Sequence, residues 1–110
     1  FEDLISESVP GNNGSMIIPW FEGERTPDIP DACATYFGFK PRDLNNVNIA
    51  RGILEGSIQN LYNGFKKLPV KPNIIHLTGG LSQSKSWCQA VADIFDCLAG
   101  STLDNILLLP

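Results

Sequence analysis

The residues best placed to do chemistry form one short run, Thr78-Gly79-Gly80, with Ser82 and Ser84 close behind. They follow an apolar segment, Ile74-Ile75-His76-Leu77, and precede a helical run through Ala92-Asp93. A strand that enters a Gly-Gly turn and opens a helix can bring bare backbone N–H groups against a nucleotide, because glycine has no side chain to block approach. Such a turn also serves wherever the chain needs positive φ, so two readings stand for the bare residues: ligand cradle and plain strand-to-helix turn. Ser84 has two readings that can hold together, N-cap of the following helix and ligand contact.

Other polar residues read as architecture. Arg51 and Glu55 stand four apart on a predicted helix and can form an ion pair worth ~0.3–0.5 kcal/mol. His76 is expected inside a buried strand with a local hydrogen bond. Trp87 falls on an apolar stripe and reads as core, and Asp93 as a solvated or capping carboxylate. Glu24 and Arg25 share a Pro-rich loop, where a neighbouring acid and base usually mean little energetically. The single histidine and the absence of Cys-x-x-Cys or His-x-x-x-His spacing give no metal site. Cys88 and Cys97, nine apart on one expected helix, would be separated by roughly 13 Å, too far for a disulfide, so three reduced structural thiols are expected.

The elements that must position these residues alternate. Ser15 to Pro19 and Thr35 to Phe39 read as short strands that pair across an irregular loop, Gly23 to Asp31. From about Asn45 to Leu68, Val47, Ala50, Leu54, Ile58, Leu61 and Phe65 recur at helical spacing. Gly52 and Gly56, one turn apart, cost ~1 kcal/mol each relative to alanine in a helix interior, so another element is expected to approach there. Lys66, Lys67 and the prolines at 69 and 72 end the helix. Asn73 to Leu77 is a strand and Ser84 to Cys97 a second helix, with Ser84 and Ser86 as candidate N-caps and Ser86-x-x-Gln89 as a capping box. Asn105 to Leu109 is a candidate last strand. Phe1 to Glu7 reads as the end of a helix.

The 110 residues bound the chain to one domain, 43% hydrophobic and 18% charged, enough apolar content to fold. A net charge of −4 and a pI near 4.7 argue against a nucleic-acid partner, which needs clustered Lys and Arg. No apolar run approaches the ~20 residues that cross a bilayer, and no signal peptide precedes Phe1, so a cytoplasmic location is expected.

Longer strings carry a resemblance. Leu77-Thr78-Gly79-Gly80-x-Ser82-x-Ser84-x-x-Trp87-x-Gln89-x-x-Ala92-Asp93 resembles the adenosine motif of FGGY-family carbohydrate kinases, most closely the xylulokinases. Ile18-Pro19-Trp20-Phe21-Glu22-Gly23-Glu24-Arg25-Thr26-Pro27 is similar to the family's Gly-Glu-Arg-x-Pro segment, with Thr26 on the xylulokinase side of the distinction from gluconokinases. Ala32-x-x-x-Tyr36-Phe37-Gly38 and Ala50-Arg51-Gly52-Ile53-Leu54-Glu55-Gly56 follow in family order. The likeness covers residues 1–97, a partial C-terminal domain, and residues 98–110 follow no family pattern.

The resemblance implies an α/β fold, part of the ribonuclease-H-like C-terminal lobe shared with actin and hexokinase-type ATPases. Missing neighbouring strands and a final helix would leave apolar surface exposed, with room for a homodimer. The implied activity of a full-length enzyme is transfer of the ATP γ-phosphoryl to a sugar hydroxyl, with Mg²⁺ balancing phosphate charge and D-xylulose the first substrate. Gluconokinase and ribulokinase are the nearest alternatives. Thr78, Gly79, Gly80 and Ser84 would contact the nucleotide, Ser84 standing where glycerol kinases carry an adenine-contacting Asn. Leu81 replaces a common third glycine, which could restrict the turn or narrow the adenine pocket. Gln83 stands where Lys is frequent. The catalytic aspartate belongs to an N-terminal lobe, so no catalytic or metal-binding residue is assigned here and the piece alone should be inactive. A non-catalytic nucleotide-binding module and an assembly domain are the readings from other classes.

Overall fold

The computed structural model describes residues 1–24, 28–102 and 106–110. Arg25, Thr26 and Pro27 of the Gly-Glu-Arg-x-Pro block, and Asn105 of the expected last strand, lie outside the described residues. In chain order the elements are α1 (Glu2–Ser6), β1 (Met16–Ile18), β2 (Thr35–Phe37), α2 (Asn46–Phe65), β3 (Ile74–Leu77), α3 (Lys85–Phe95) and β4 (Leu98–Ser101).

α2 organises the rest. Asn45 caps it by accepting the Asn48 N–H at 3.0 Å, satisfying one of the orphan donors of the first turn. Its expected stripe is buried at Ala50, Leu54 and Ile58, but Leu61 and Phe65 are 52% and 47% exposed, so the covered part stops short of the last turns. The two helical glycines meet the expected neighbour. A Cβ on Gly52 would lie 2.8 Å from the Ile17 Cδ1, and one on Gly56 would fall on the Ile17 backbone carbonyl. Ile17 is thereby sealed at 1% exposure. β1 and β2 pair antiparallel as expected, Ile17 opposite Tyr36.

Arg51 and Glu55 form their pair, with Arg51 Nε donating to Glu55 Oε2 at 2.7 Å, but both side chains are largely buried. The same oxygen accepts the Gly11 N–H at 2.8 Å, so the pair ties α2 to the turn before β1. The expected helical pair thus forms, with a link to the Gly11 backbone that spacing alone does not show.

β3, α3 and β4 make a parallel βαβ unit, with Ile75 opposite Ala99 and Leu77 opposite Ser101. Leu54, Ile58, Val91, Phe95 and Ala99 fill the core beneath it. β4 adds a strand that the sequence does not announce. Residues 98–101 are a strand, and Leu108 crosses back to exchange backbone hydrogen bonds with Ala99 at 3.1 and 2.7 Å. α3 also ends earlier than expected: Asp96 turns to φ 53°, so Cys97 lies beyond the helix. Cys88, Cys97 and Cys33 are nonetheless free thiols, the first two buried. Burial and the neighbouring Asp96 push the Cys97 thiol up, which suits an inert core residue. His76 is exposed with Ile74, because β3 turns only Ile75 and Leu77 toward the helices. Among the described residues no helix is long and apolar enough to cross a membrane.

Candidate functional site

The turn between β3 and α3 collects the residues expected there. Thr78 and Gly79 leave β3, and a 3-10 turn, Gly80–Gln83, delivers the chain to Ser84 at the start of α3. The two glycines differ. Gly79 sits at φ 93°, ψ −174°, a conformation open essentially only to glycine, so the plain-turn reading accounts for it. Gly80 is absent from the positive-φ residues, and a Cβ there would meet nothing within 4 Å. Neither local conformation nor packing calls for glycine at 80. Both glycines and Thr78 are exposed.

The turn is braced from behind. Ser82 is buried, its Oγ donating to the Gly79 carbonyl at 2.6 Å while its N–H bonds the same oxygen at 3.2 Å. Leu81, expected to restrict the turn or narrow the adenine pocket, stands 54% exposed. Beside it a cavity of about 150 Å³ is lined by Ser82, Lys85, Cys88, Ser101 and Leu108.

Ser84 is the N-cap of α3, its Oγ accepting the Trp87 N–H at 3.1 Å. The capping box expected from Ser86 and Gln89 is not used. Ser86 Oγ instead donates to Glu2 Oε2 at 2.6 Å, and Ser84 Oγ donates to Glu2 Oε1. These two hydroxyls, Ser84 first, hold the Glu2 carboxyl below its ordinary range. Glu2 was not among the expected residues, and 82 positions separate it from Ser84, so no spacing could signal the contact. Gln89 bonds Asp93 and the Leu109 carbonyl, fixing the tail to α3. Trp87 is half-buried against the core, as its stripe position requires.

Glu24 does not join this turn. It accepts from Asn60 on α2 at 2.8 Å, and Asn60 in turn accepts the Trp20 indole N–H. The arrangement at 78–84 can therefore present backbone and one serine hydroxyl to a ligand. It brings no catalytic acid–base pair with it.

The family model described as "FGGY family of carbohydrate kinases, C-terminal domain" matches residues 1–99. A xylulose kinase of Haemophilus influenzae is 31% identical over 84% of this chain and 20% of its own length. A gluconokinase of Bacillus licheniformis is 38% identical over 84% of this chain and 19% of its own. Among solved structures, a ligand-bound xylulose kinase from Lactobacillus acidophilus superposes with a TM-score of 0.80 at 29% identity, covering 90% of this chain and 21% of that one. The chain thus spans about a fifth of the length of the relatives it matches.

Proposed function

The chain belongs to the FGGY family of carbohydrate kinases, and we propose that the intact protein carrying it transfers the γ-phosphoryl of ATP to a sugar hydroxyl, with D-xylulose the first substrate. In this reading the region is part of a ribonuclease-H-like C-terminal lobe and supplies the adenosine side of the nucleotide site through Thr78, Gly79, Gly80 and Ser84. One observation carries it: Gly80 stands in open space with no fold requirement for glycine, on a turn whose string resembles the family's adenosine motif. A side chain absent without structural cause leaves room for a ligand to meet backbone.

Positioning and electrostatic stabilisation dominate phosphoryl transfer, and this region contributes the former for the base and ribose. The general base is assigned to an aspartate outside this chain. Bound Mg²⁺ would neutralise phosphate charge. Among the described residues no group of three or more His, Cys, Asp or Glu side chains is gathered that could hold a metal ion, and Glu2 at this turn meets only serines, so these residues do not fit a magnesium site. We place the protein in the cytoplasm with its free thiols. We also propose a homodimer, supported by the exposed apolar residues Leu61, Phe65, Leu68 and Val70.

Turnover of the intact protein with ATP and D-xylulose, D-gluconate, ribulose and glycerol tests the assignment. Preference for D-xylulose is expected. A second reading, gluconate phosphorylation, is favoured by the higher identity of the Bacillus gluconokinase, 38% against 31%. Equal or better turnover of gluconate would establish it, and no turnover with any sugar would favour a non-catalytic nucleotide-binding or assembly module. Sedimentation as a monomer would remove the dimer.

A further inference from the structure

Glu2 is solvent-exposed and outside the core, yet each of its carboxylate oxygens takes a serine hydroxyl from the first turns of α3. It is delivered by a fixed element, since Ile5 on the same helix is 3% exposed in the core. The consequence falls on Ser84. A serine hydroxyl has one proton and two lone pairs. The proton goes to Glu2 Oε1, and one lone pair takes the Trp87 N–H. What remains is a single lone pair, so toward a ligand Ser84 can only accept. An ionised Glu2 is acceptor-only as well, and its charge already offsets the positive end of α3.

We propose that Glu2 is a positioning residue that fixes the polarity of the Ser84 hydroxyl, making this corner of the site select a 6-aminopurine over a 6-oxopurine. The proposal rests on the adenosine reading of Gly79, Gly80 and Ser84. The 6-amino group of adenine donates to the open lone pair. The 6-oxo group of hypoxanthine would set acceptor against acceptor. The two serine hydroxyls hold the Glu2 carboxyl ionised at neutral pH, so the polarity is constant there.

Calorimetric titration of the intact protein with ATP and with ITP, which differ at the 6-position, tests this. The unmodified protein should bind ATP about tenfold more tightly, the discrimination one polar contact can supply. Glu2→Gln, whose amide can donate to Ser84 and release its proton, should cut that ratio at least fivefold, chiefly by strengthening ITP. Ser84→Ala should lose the ratio too, and adding Glu2→Gln to it should change nothing more. An unchanged ratio in folded Glu2→Gln overturns the proposal, and so does a Glu2→Gln effect that persists in the Ser84→Ala background. Should Glu2→Gln not fold, Ser84→Ala decides alone: a retained ratio overturns the inference. Gly80→Val separates the two readings. Undiminished ATP affinity there sinks the adenosine site itself. Weakened ATP binding, with the ratio unmoved in Glu2→Gln, sinks only the role of Glu2.

Discussion

Gly52 and Gly56 lie under a strand, and Gly79 and Gly80 lie in the open. In the first pair the missing side chains are filled by Ile17, whose side chain and carbonyl come so close to α2 that a methyl group has no place. In the second pair nothing of the described chain fills the space. Glycine thus serves packing in the first region; in the second, Gly79 serves its backbone angles and Gly80 stands in open space, where we propose access for a ligand. Exposure alone does not separate a structural glycine from one kept for a ligand, since Gly79 is exposed and still needed for its backbone angles. The separating test is whether φ or a neighbour already explains it.

The contrast can be broken at its closed end first. Gly56→Ala should destabilise the intact protein by about 3 kcal/mol, because the clash is with backbone that cannot step aside, as denaturant midpoints would report. Gly52→Ala should cost less, about 2 kcal/mol, because the added methyl meets Ile17 side-chain carbons at 2.8 and 2.9 Å and not its backbone. A tolerated Gly56→Ala would mean that β1 is not seated as described.

At the open end, Gly79→Ala should cost about 2 kcal/mol through its backbone angles despite the free space around it. Gly80→Val should leave stability within about 0.5 kcal/mol yet weaken ATP at least tenfold, with sugar affinity unmoved. Calorimetry with each ligand separates these effects. A Gly80→Val variant that loses stability and keeps ATP would reverse the assignment of the two glycines.

The smallest effect is expected from pH. The Glu2 carboxyl is depressed in the folded state, so its contact with Ser84 and Ser86 is fully present above the ordinary glutamate range and is lost as pH falls through the folded value. The protection factor of the Trp87 amide should therefore fall as pH drops below the ordinary glutamate value of 4.5, and Glu2→Gln should remove that fall. A protection factor that ignores pH in the unmodified protein would detach Glu2 from the cap.

How far these features were legible follows from range and residue type. The stripe of α2 and the closed glycine pair could be read because helical spacing and the cost of glycine are local signals. β4 escaped because Leu-Ala-Gly-Ser lacks the β-branched residues that mark strands; it is a strand by burial, pairing with β3 where small residues fit. The end of α3 was misplaced because Asp96 takes the left-handed turn that sequence reading assigns to glycine. His76 reads as buried because an apolar run hides which face of a strand is open. At the candidate site, Thr78 to Ser84 came through as a contiguous string. Glu2 did not, because a contact across 82 positions exists only in the fold.

The oxygen shared by Arg51 and Gly11 has a consequence for the hairpin that follows it. Side chains on a strand alternate, so a one-residue slip of β1 would turn Ile17 outward and drive a neighbour against Gly52 and Gly56. Glu55 Oε2 holds the Gly11 N–H a few residues upstream of Met16, leaving little slack for such a slip. A buried ion pair seldom adds much net stability, and here its worth lies in phase: it acts as a detent, setting the one offset at which β1 meshes with α2.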